Sequence, residues 1–181
     1  MADTLKRTPP RIESCGWLEP LPAATRYSLR GGADARAAAS RAFGVELPTT
    51  ACRAAASGGR AALWLGPDEH LLIAPEAEPA GVGGALGTAL AGVAHSLVDI
   101  SHRQVAFNVR GPHAPWLLAS GCPLDLDPAE FPVGMCTRTV YAKTEIVLWR
   151  TAADAFRIEV WRSFADYLVA LLHETAFELP A

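Results

Sequence analysis

Alternating apolar and polar residues mark short strands along this chain. In Gln104–Gly111 every second side chain, Val105, Phe107 and Val109, is large and apolar, and the residues between them are small or polar. The same alternation recurs in Ala155–Trp161. A period of two residues is typical of a strand with one buried face. The pattern, together with its turn residues, predicts strands at 26–31, 51–56, 61–65, 70–74, 95–100, 104–111, 135–141, 145–150 and 155–161.

Helical segments are predicted between these strands. An alanine-rich stretch covers 34–43, a glycine-rich one covers 80–92, and a short helix covers 112–120. The last helix is predicted to begin at Ser163, a favourable N-cap residue with Asp166 three positions later. Its large apolar residues recur at i, i+3, i+4, i+7 and i+8, and we expect them to form one stripe facing the core: Phe164, Tyr167, Leu168, Leu171 and Leu172.

Two halves of the chain repeat this order of elements. Tyr27–Pro48 and Phe107–Pro128 align without a gap and share Arg-Gly, Ala-Ser and a final Pro. Each is followed by three predicted strands that contain a Leu-Trp pair, and then by a helix. We infer an α+β fold built from a duplicated strand–helix–three-strand–helix unit, with two antiparallel-rich sheets covered by helices. The expected parts are an N-terminal arm at 1–24, a first subdomain at 25–94 and a second at 95–181.

Composition excludes several classes of protein. The 181 residues are 50% hydrophobic and 19% charged, with a net charge of −3, which is ordinary for a globular protein. No cluster of lysine and arginine is long enough to hold a nucleic-acid backbone. Pro79–Val98 is uncharged but too rich in glycine to insert into a membrane. The beginning of the chain lacks the apolar core of a secretion signal. We therefore expect a soluble, cytoplasmic protein whose four scattered cysteines stay reduced.

Signatures of common active sites are missing from the sequence. It contains no G-x-S-x-G, H-E-x-x-H or P-loop motif, and its cysteines and histidines lack metal-site spacing. The run GVGGALG has Leu86 where a dinucleotide loop needs its third glycine, so we interpret it as a helix lying close to a neighbour. The five histidines lie on different predicted elements, and each is expected to be a surface or turn residue. The sequence therefore predicts no catalytic, cofactor-binding or metal-binding residue.

The segment Asp99-Ile100-Ser101-His102 contains the residue types of a hydrolytic triad. Along an extended chain Asp99 and Ser101 point to one side and His102 to the other, so the segment alone does not assemble a triad. The alternative is that Asp99 and Ser101 cap backbone N–H groups at a bend between two strands. We favour that alternative.

Trp161 and Arg162 lie at the exposed end of a predicted strand. Tryptophan and arginine are enriched at the energetic centres of protein interfaces, so this pair is a candidate interface anchor. Packing of Trp161 in the core is the competing interpretation.

Three segments resemble the gamma-subunit family of heterotetrameric sarcosine oxidase: LVDISHRQVAFNVRGPHAPWLLASGCPLDL, FPVGMCTRTVYAKTEIVLWR and FRIEVWRSFADYLVALL. The resemblance extends from about Trp64 to Leu172, and D-x-S-H-R, R-G-P-x-A and R-S-F-A-x-Y-L are its most distinctive pieces. More distantly, the chain resembles the folate-binding aminomethyltransferase family (T-protein) of the glycine cleavage system, which shares an Asp-x-Ser strand end and a G-P-x-A helix start. That wider family folds as α+β subdomains related by an internal repeat.

The first resemblance implies a non-catalytic subunit of a flavoenzyme that oxidatively demethylates sarcosine, or a related N-methyl amino acid, to glycine. It implies alpha, beta and delta subunits as partners, with the flavins FAD and FMN on beta, NAD and tetrahydrofolate processing on alpha, and zinc on delta. No cofactor is implied for this chain. The candidate interface or folate-remnant residues are Asp99, Ser101, His102, Arg103, Trp161 and Arg162.

Two alternatives stay open. In the first, the chain is an independent tetrahydrofolate-binding protein in which Asp99 interacts with the folate amine. In the second, it is an α+β domain that binds an unrelated partner. Two features count against the folate alternative: the K-G-C-Y-x-G-Q-E signature of one folate-handling branch is absent, and the chain is roughly half as long as a complete aminomethyltransferase.

Overall fold

The computed structural model describes residues 15–76 and 79–178. Strands and helices follow one another in the order β1 (Leu18–Pro20), β2 (Ala24–Gly31), α1 (Ala33–Phe43), β3 (Ala54–Ser57), β4 (Arg60–Gly66), β5 (Glu69–Pro75), α2 (Pro79–Ala89), β6 (His95–Asp99), β7 (Gln104–Arg110), α3 (Ala114–Ala119), β8 (Cys136–Tyr141), β9 (Thr144–Ala152), β10 (Ala155–Trp161), a 3₁₀ turn (Arg162–Phe164) and α4 (Ala165–Ala176). No helix in these two ranges combines the length and apolar character needed to cross a membrane.

The chain divides into two compact units. The first unit is Ala24–Ser101, and the second consists of the described residues up to Ala23 together with the described residues from His102 onward. The strand order is β3-β4-β5-β2-β6 in the first sheet and β8-β9-β10-β7-β1 in the second, and the strands pair antiparallel throughout. Each unit thus contains a strand, a helix, three strands and a helix, as the α+β prediction requires.

The fifth strand of each sheet lies outside the predicted repeat. β6 pairs with β2, from Tyr27 opposite Asp99 to Gly31 opposite His95, so the first unit extends past the predicted boundary at 94/95 to Ser101. In the predicted N-terminal arm, Leu18–Pro20 pairs with β7 and belongs to the second sheet. A three-residue strand ending in proline has no periodicity to detect, and its pairing partner is distant in sequence. The remainder of that arm, 1–14, lies outside the described residues.

Helices cover one face of each sheet. In the first unit, Tyr27 and Leu72 pack with Phe43 of α1 and Leu86 of α2. A Cβ atom added to Gly83 of α2 would overlap the Tyr27 hydroxyl, so glycine permits this close approach. The interpretation of GVGGALG as a helix lying against a neighbour is confirmed.

In the second unit the helix-covered core is larger and more aromatic. It contains the alternating residues of β7 and β10 that the sequence placed on one strand face, and they pack with side chains of α3 and α4: Val105, Phe107, Val109, Phe156, Ile158, Val160, Leu117, Leu118, Leu168 and Leu172. All ten of these side chains are buried. The period of two therefore identified the buried face correctly.

The beginning of α4 differs from the prediction. A 3₁₀ turn precedes the helix, so the N-cap position is Phe164, which makes no side-chain cap hydrogen bond, and Ser163 lies inside the turn. Leu168 and Leu172 are buried as expected, but Phe164 and Tyr167 are 42% and 39% exposed. Tyr167 lies about 100° around the helix from Leu168, outside the buried face.

The first predicted strand of the three-stranded group in the first unit also begins later than expected. β3 starts at Ala54 rather than at residue 51. Cys52 has a φ of +57°, a left-handed conformation that is incompatible with a strand. The predicted strand start thus falls in a turn.

Candidate functional site

A closed turn follows β6 at Asp99 and Ser101. The Ser101 hydroxyl accepts a hydrogen bond from the backbone N–H of Arg26 at 2.8 Å and donates to Asp99 Oδ1 at 2.5 Å. The backbone N–H of Ser101 donates to the same Oδ1 at 2.9 Å. These contacts confirm the prediction that Asp99 and Ser101 cap backbone N–H groups at a strand end.

This arrangement does not prepare Ser101 for nucleophilic attack. Its side chain is buried, with 2% of the residue exposed, and its proton is directed to a carboxylate that also holds the turn. A catalytic serine needs a base that can take its proton and an approach for the substrate. His102 is exposed and contributes its backbone carbonyl to a different contact, with Arg162. The geometry supports a turn rather than a triad.

We expect Ser101→Ala to lower the free energy of unfolding by about 1–2 kcal/mol, because a buried backbone N–H and a carboxylate oxygen each lose a partner. Urea unfolding monitored by circular dichroism measures the change. Ser57→Ala, at the exposed end of β3, is the matched control and should leave stability unchanged. Equal stability of the Ser101 and Ser57 variants would contradict a structural role for Ser101.

A second cluster joins the beginning of β7 to the end of β10. The backbone N–H of Arg162 donates to the Arg103 carbonyl at 2.8 Å, and Arg162 Nε donates to the His102 carbonyl at 3.2 Å. The Arg103 guanidinium carbon lies 5.1 Å from the centroid of the Trp161 ring. The structure therefore brings His102, Arg103, Trp161 and Arg162 together in the second unit, and it pairs Asp99 with Ser101 in the first.

Trp161 is 39% exposed, so it is not a core residue. Sequence reasoning missed its two exposed aromatic neighbours, Phe164 and Tyr167, because it assigned them to the core-facing stripe. The sequence feature that could have revealed this exposed group is the spacing of Trp161, Phe164 and Tyr167, which places an aromatic residue at every third position.

His70 departs from the expectation for the histidines. It lies in β5, is 2% exposed, and its Nε2 donates to the Pro48 carbonyl at 2.8 Å. Burial lowers the pKa of His70 from its ordinary value of 6.5, and the contact with the Pro48 carbonyl opposes that shift by a smaller amount. The prediction of a surface or turn residue is wrong for His70. The remaining histidines, His95, His102, His113 and His173, are exposed or half-buried.

The lowered pKa of His70 predicts acid sensitivity. Because the folded-state pKa lies below the unfolded-state value, the stabilising contribution is complete above pH 6.5 and is lost as the pH falls through the folded pKa. Urea unfolding between pH 7.5 and pH 5 should show stability falling with pH in the natural chain. His70→Gln should remove part of that slope, whereas His113→Gln, at an exposed position, should keep it. Identical slopes in all three proteins would contradict the assignment.

The described ranges offer no site of metal-binding type. Within residues 15–76 and 79–178, no group of three or more histidine, cysteine, aspartate or glutamate side chains could hold a metal ion. All four cysteines are free thiols, with Cys122 and Cys136 buried. An open hollow of about 430 Å³ lies beside the end of α1, but the Ser40 hydroxyl at its wall already accepts a hydrogen bond from the Leu47 N–H. Arg41 and Glu46, which carry opposite charges, also line this open hollow.

Comparison with known sequences matches residues 30–178 to the sarcosine oxidase gamma subunit family. A sarcosine oxidase subunit gamma from Arthrobacter sp. is 35% identical over 158 residues, which cover 86% of this chain and 77% of that protein.

Comparison with solved structures gives the same relationship. A chain of the heterotetrameric sarcosine oxidase from Corynebacterium sp. U-96 matches with a TM-score of 0.85 and 34% identity, covering 91% of this chain and 85% of that one. The glycine cleavage system aminomethyltransferase T from Bartonella henselae matches with a TM-score of 0.65 and 13% identity, covering 86% of this chain and 44% of that one. The second likeness shows a shared fold.

Proposed function

The chain belongs to the sarcosine oxidase gamma subunit family, and from this premise we propose that it is a non-catalytic subunit that supports assembly of the flavin-bearing subunits of a sarcosine oxidase. The observation that carries the non-catalytic part is the turn at Asp99 and Ser101. The residues that most resemble a reactive site are used there to close a strand end, with Ser101 buried. A side chain in that position holds the fold and does not meet a substrate.

The partners in this proposal are the alpha, beta and delta subunits of the complex. The complex oxidises sarcosine and releases glycine, with formaldehyde and hydrogen peroxide as the other products in the absence of folate. FAD and FMN are assigned to beta, NAD and tetrahydrofolate to alpha, and zinc to delta. This chain is assigned none of them, in keeping with the lack of a nucleotide-binding motif in its sequence.

The fold shared with an aminomethyltransferase motivates the second candidate, an independent tetrahydrofolate-binding protein that uses Asp99. Two observations weigh against it. Asp99 Oδ1 already accepts two hydrogen bonds from Ser101, and the chain spans less than half of the matched aminomethyltransferase. Equilibrium titration of the purified chain with tetrahydrofolate separates the two candidates, because the subunit proposal expects no saturable binding.

Co-expression tests the assembly role. The alpha, beta and delta subunits are produced with and without this chain, and the flavin content, size and sarcosine-dependent peroxide formation of the purified complex are measured. The proposal expects incomplete or flavin-poor complexes when this chain is left out, and full recovery when Ser101→Ala is supplied in its place. Normal assembly and turnover without the chain would overturn the proposal.

A further inference from the structure

Three aromatic side chains are exposed along one short segment of the second unit. Trp161 ends β10, Phe164 lies in the 3₁₀ turn and Tyr167 lies in the first turn of α4, with exposed fractions of 39%, 42% and 39%. Residues three apart share a face in both 3₁₀ and α-helical turns. Large aromatic side chains exposed together are a feature of binding surfaces, because an isolated protein gains nothing from leaving them in water.

Arg103 is fixed beside this aromatic segment. Its guanidinium carbon lies over the Trp161 ring, 5.1 Å from the ring centroid, and its carbonyl accepts a hydrogen bond from the Arg162 N–H at 2.8 Å. A guanidinium that lies over an aromatic ring has one of its faces covered, and the N–H groups at its edge stay available for a carboxylate. The contact with Trp161 therefore holds the guanidinium of Arg103 over the ring.

The charge of Arg103 is not balanced by the described part of the chain. Other arginines among the described residues form an ion pair with a glutamate: Arg30 with Glu69 at 2.7 Å, Arg157 with Glu159 at 2.7 Å, Arg138 with Glu145 at 3.8 Å, and Arg110 with Glu19. Within residues 15–76 and 79–178, no carboxylate pairs with Arg103, and the side chain is exposed. An exposed, positioned guanidinium without its own acid is complementary to a carboxylate on a partner.

We propose that Arg103, Trp161, Phe164 and Tyr167, together called the aromatic–arginine surface, bind a partner subunit of the complex through a carboxylate flanked by apolar side chains. The carboxylate meets the guanidinium of Arg103, and the apolar side chains cover the three rings. The inference rests on the proposed function, because it takes the partner to be a subunit of the same enzyme. It adds to that function the surface used and the chemistry of the segment that covers it.

A competition inside the cell tests the surface. The natural chain and a variant, carrying different tags, are co-expressed with the other subunits, and the ratio of the two tags is measured in the complex purified through the beta subunit. We expect Arg103→Glu, Trp161→Ala and the double variant Phe164→Ser/Tyr167→Ser each to be under-represented by about tenfold or more, as for residues at the centre of an interface.

The matched controls lie at exposed positions of the same unit. Trp116, in α3, is 45% exposed, and Arg138 lies on the edge strand β8 with 38% of its side chain exposed. Trp116→Ala and Arg138→Glu should enter the complex as often as the natural chain. Thermal unfolding of each purified variant identifies any loss of folding. If Arg103→Glu disturbs the turn at residues 102 and 103, the Phe164→Ser/Tyr167→Ser variant still tests the surface, because it leaves that turn unchanged.

The partner's carboxylate is identified by cross-linking from a photoreactive residue at position 167. Replacing that acidic residue of the partner by lysine should restore incorporation of the Arg103→Glu variant, and this rescue would support the proposal. If the natural chain enters the complex and the three test variants enter equally well, the surface assignment is overturned while the proposed function stands. If the natural chain does not enter, both fail. If the variants instead abolish self-association of this chain, the occupant is a second copy and the proposal is overturned.

Discussion

Replacing Arg150 with methionine should lower the free energy of unfolding by about 3–5 kcal/mol, the largest effect expected for a single polar side chain in this protein. Arg150 lies in β9 and is 2% exposed. Its guanidinium donates to the carbonyls of Leu126 and Phe131 at 3.1 and 2.8 Å, and Nε and Nη2 both donate to the carbonyl of Ala153. Methionine fills a similar volume but removes the donor from the buried carbonyl oxygens of Leu126 and Phe131 and from the more exposed carbonyl of Ala153.

The effect should be concentrated in the long connection between α3 and β8. Residues 120–135 contain no helix or strand, and Arg150 ties two of their carbonyls to the sheet. Hydrogen exchange should show this connection opening more readily in Arg150→Met than in the natural chain. Arg138→Met, at the exposed edge strand, is the control and should change stability by less than about 1 kcal/mol. An Arg150→Met protein within about 1 kcal/mol of the natural chain in urea unfolding would refute the assignment.

The second large effect is expected from Phe156→Ala, at about 3–5 kcal/mol. Phe156 lies in β10 with no exposed surface, and its ring centroid is 6.4 Å from that of Phe131. The guanidinium of Arg150 covers the same ring at 5.0 Å. Truncation removes a large apolar side chain from the centre of the second unit and leaves a cavity that the surrounding strands cannot close.

Phe164→Ala supplies the control for this substitution. Phe164 is 42% exposed, so its truncation should cost the isolated chain less than about 1 kcal/mol. Because Arg150 and Phe156 touch, the double variant Arg150→Met/Phe156→Ala should lose less stability than the sum of the two single changes. Strict additivity, or equal losses for the two phenylalanine variants, would contradict the packing described for this core.

The order of elements follows from local patterns, and for that reason the sequence predicts it well. The buried face of β7 can be identified from Val105, Phe107 and Val109, because successive side chains of a strand point to opposite faces. The two Arg-Gly pairs, at Arg30 and Arg110, indicate the repeat because each lies at the end of the first strand of the repeated element order. Neither inference requires knowledge of which strands pair.

Features that depend on distant pairing were not predictable in the same way. β1 is three residues long and becomes a strand through its pairing with β7, about ninety residues later. The boundary of the first unit follows from the pairing of β6 with β2. The 3₁₀ turn before α4 moved the start of the helix to Ala165, so Phe164 and Tyr167 came to lie on the exposed side.

In the candidate site, too, some features follow from local patterns in the sequence and others depend on the fold. Strand geometry was sufficient to argue against a triad at Asp99, Ser101 and His102, since alternation sends neighbouring side chains to opposite faces. That Ser101 accepts a hydrogen bond from Arg26, 75 positions earlier, required the fold. The contact of Arg103 with Trp161 likewise joins the turn before β7 to the end of β10. Both residues were candidates from the sequence, but that they touch required the fold.

Native mass measurement of the purified complex tests most directly whether this chain works as a subunit of a larger enzyme. The complex is isolated through a tag on the beta subunit after co-expression with alpha and delta, and its mass is recorded before and after gentle dissociation. We expect one copy of the 19.2-kDa chain in each flavin-containing complex, and no sarcosine oxidation by the released chain. A complex that lacks the 19.2-kDa chain, with the chain recovered alone and active by itself, would contradict the assignment.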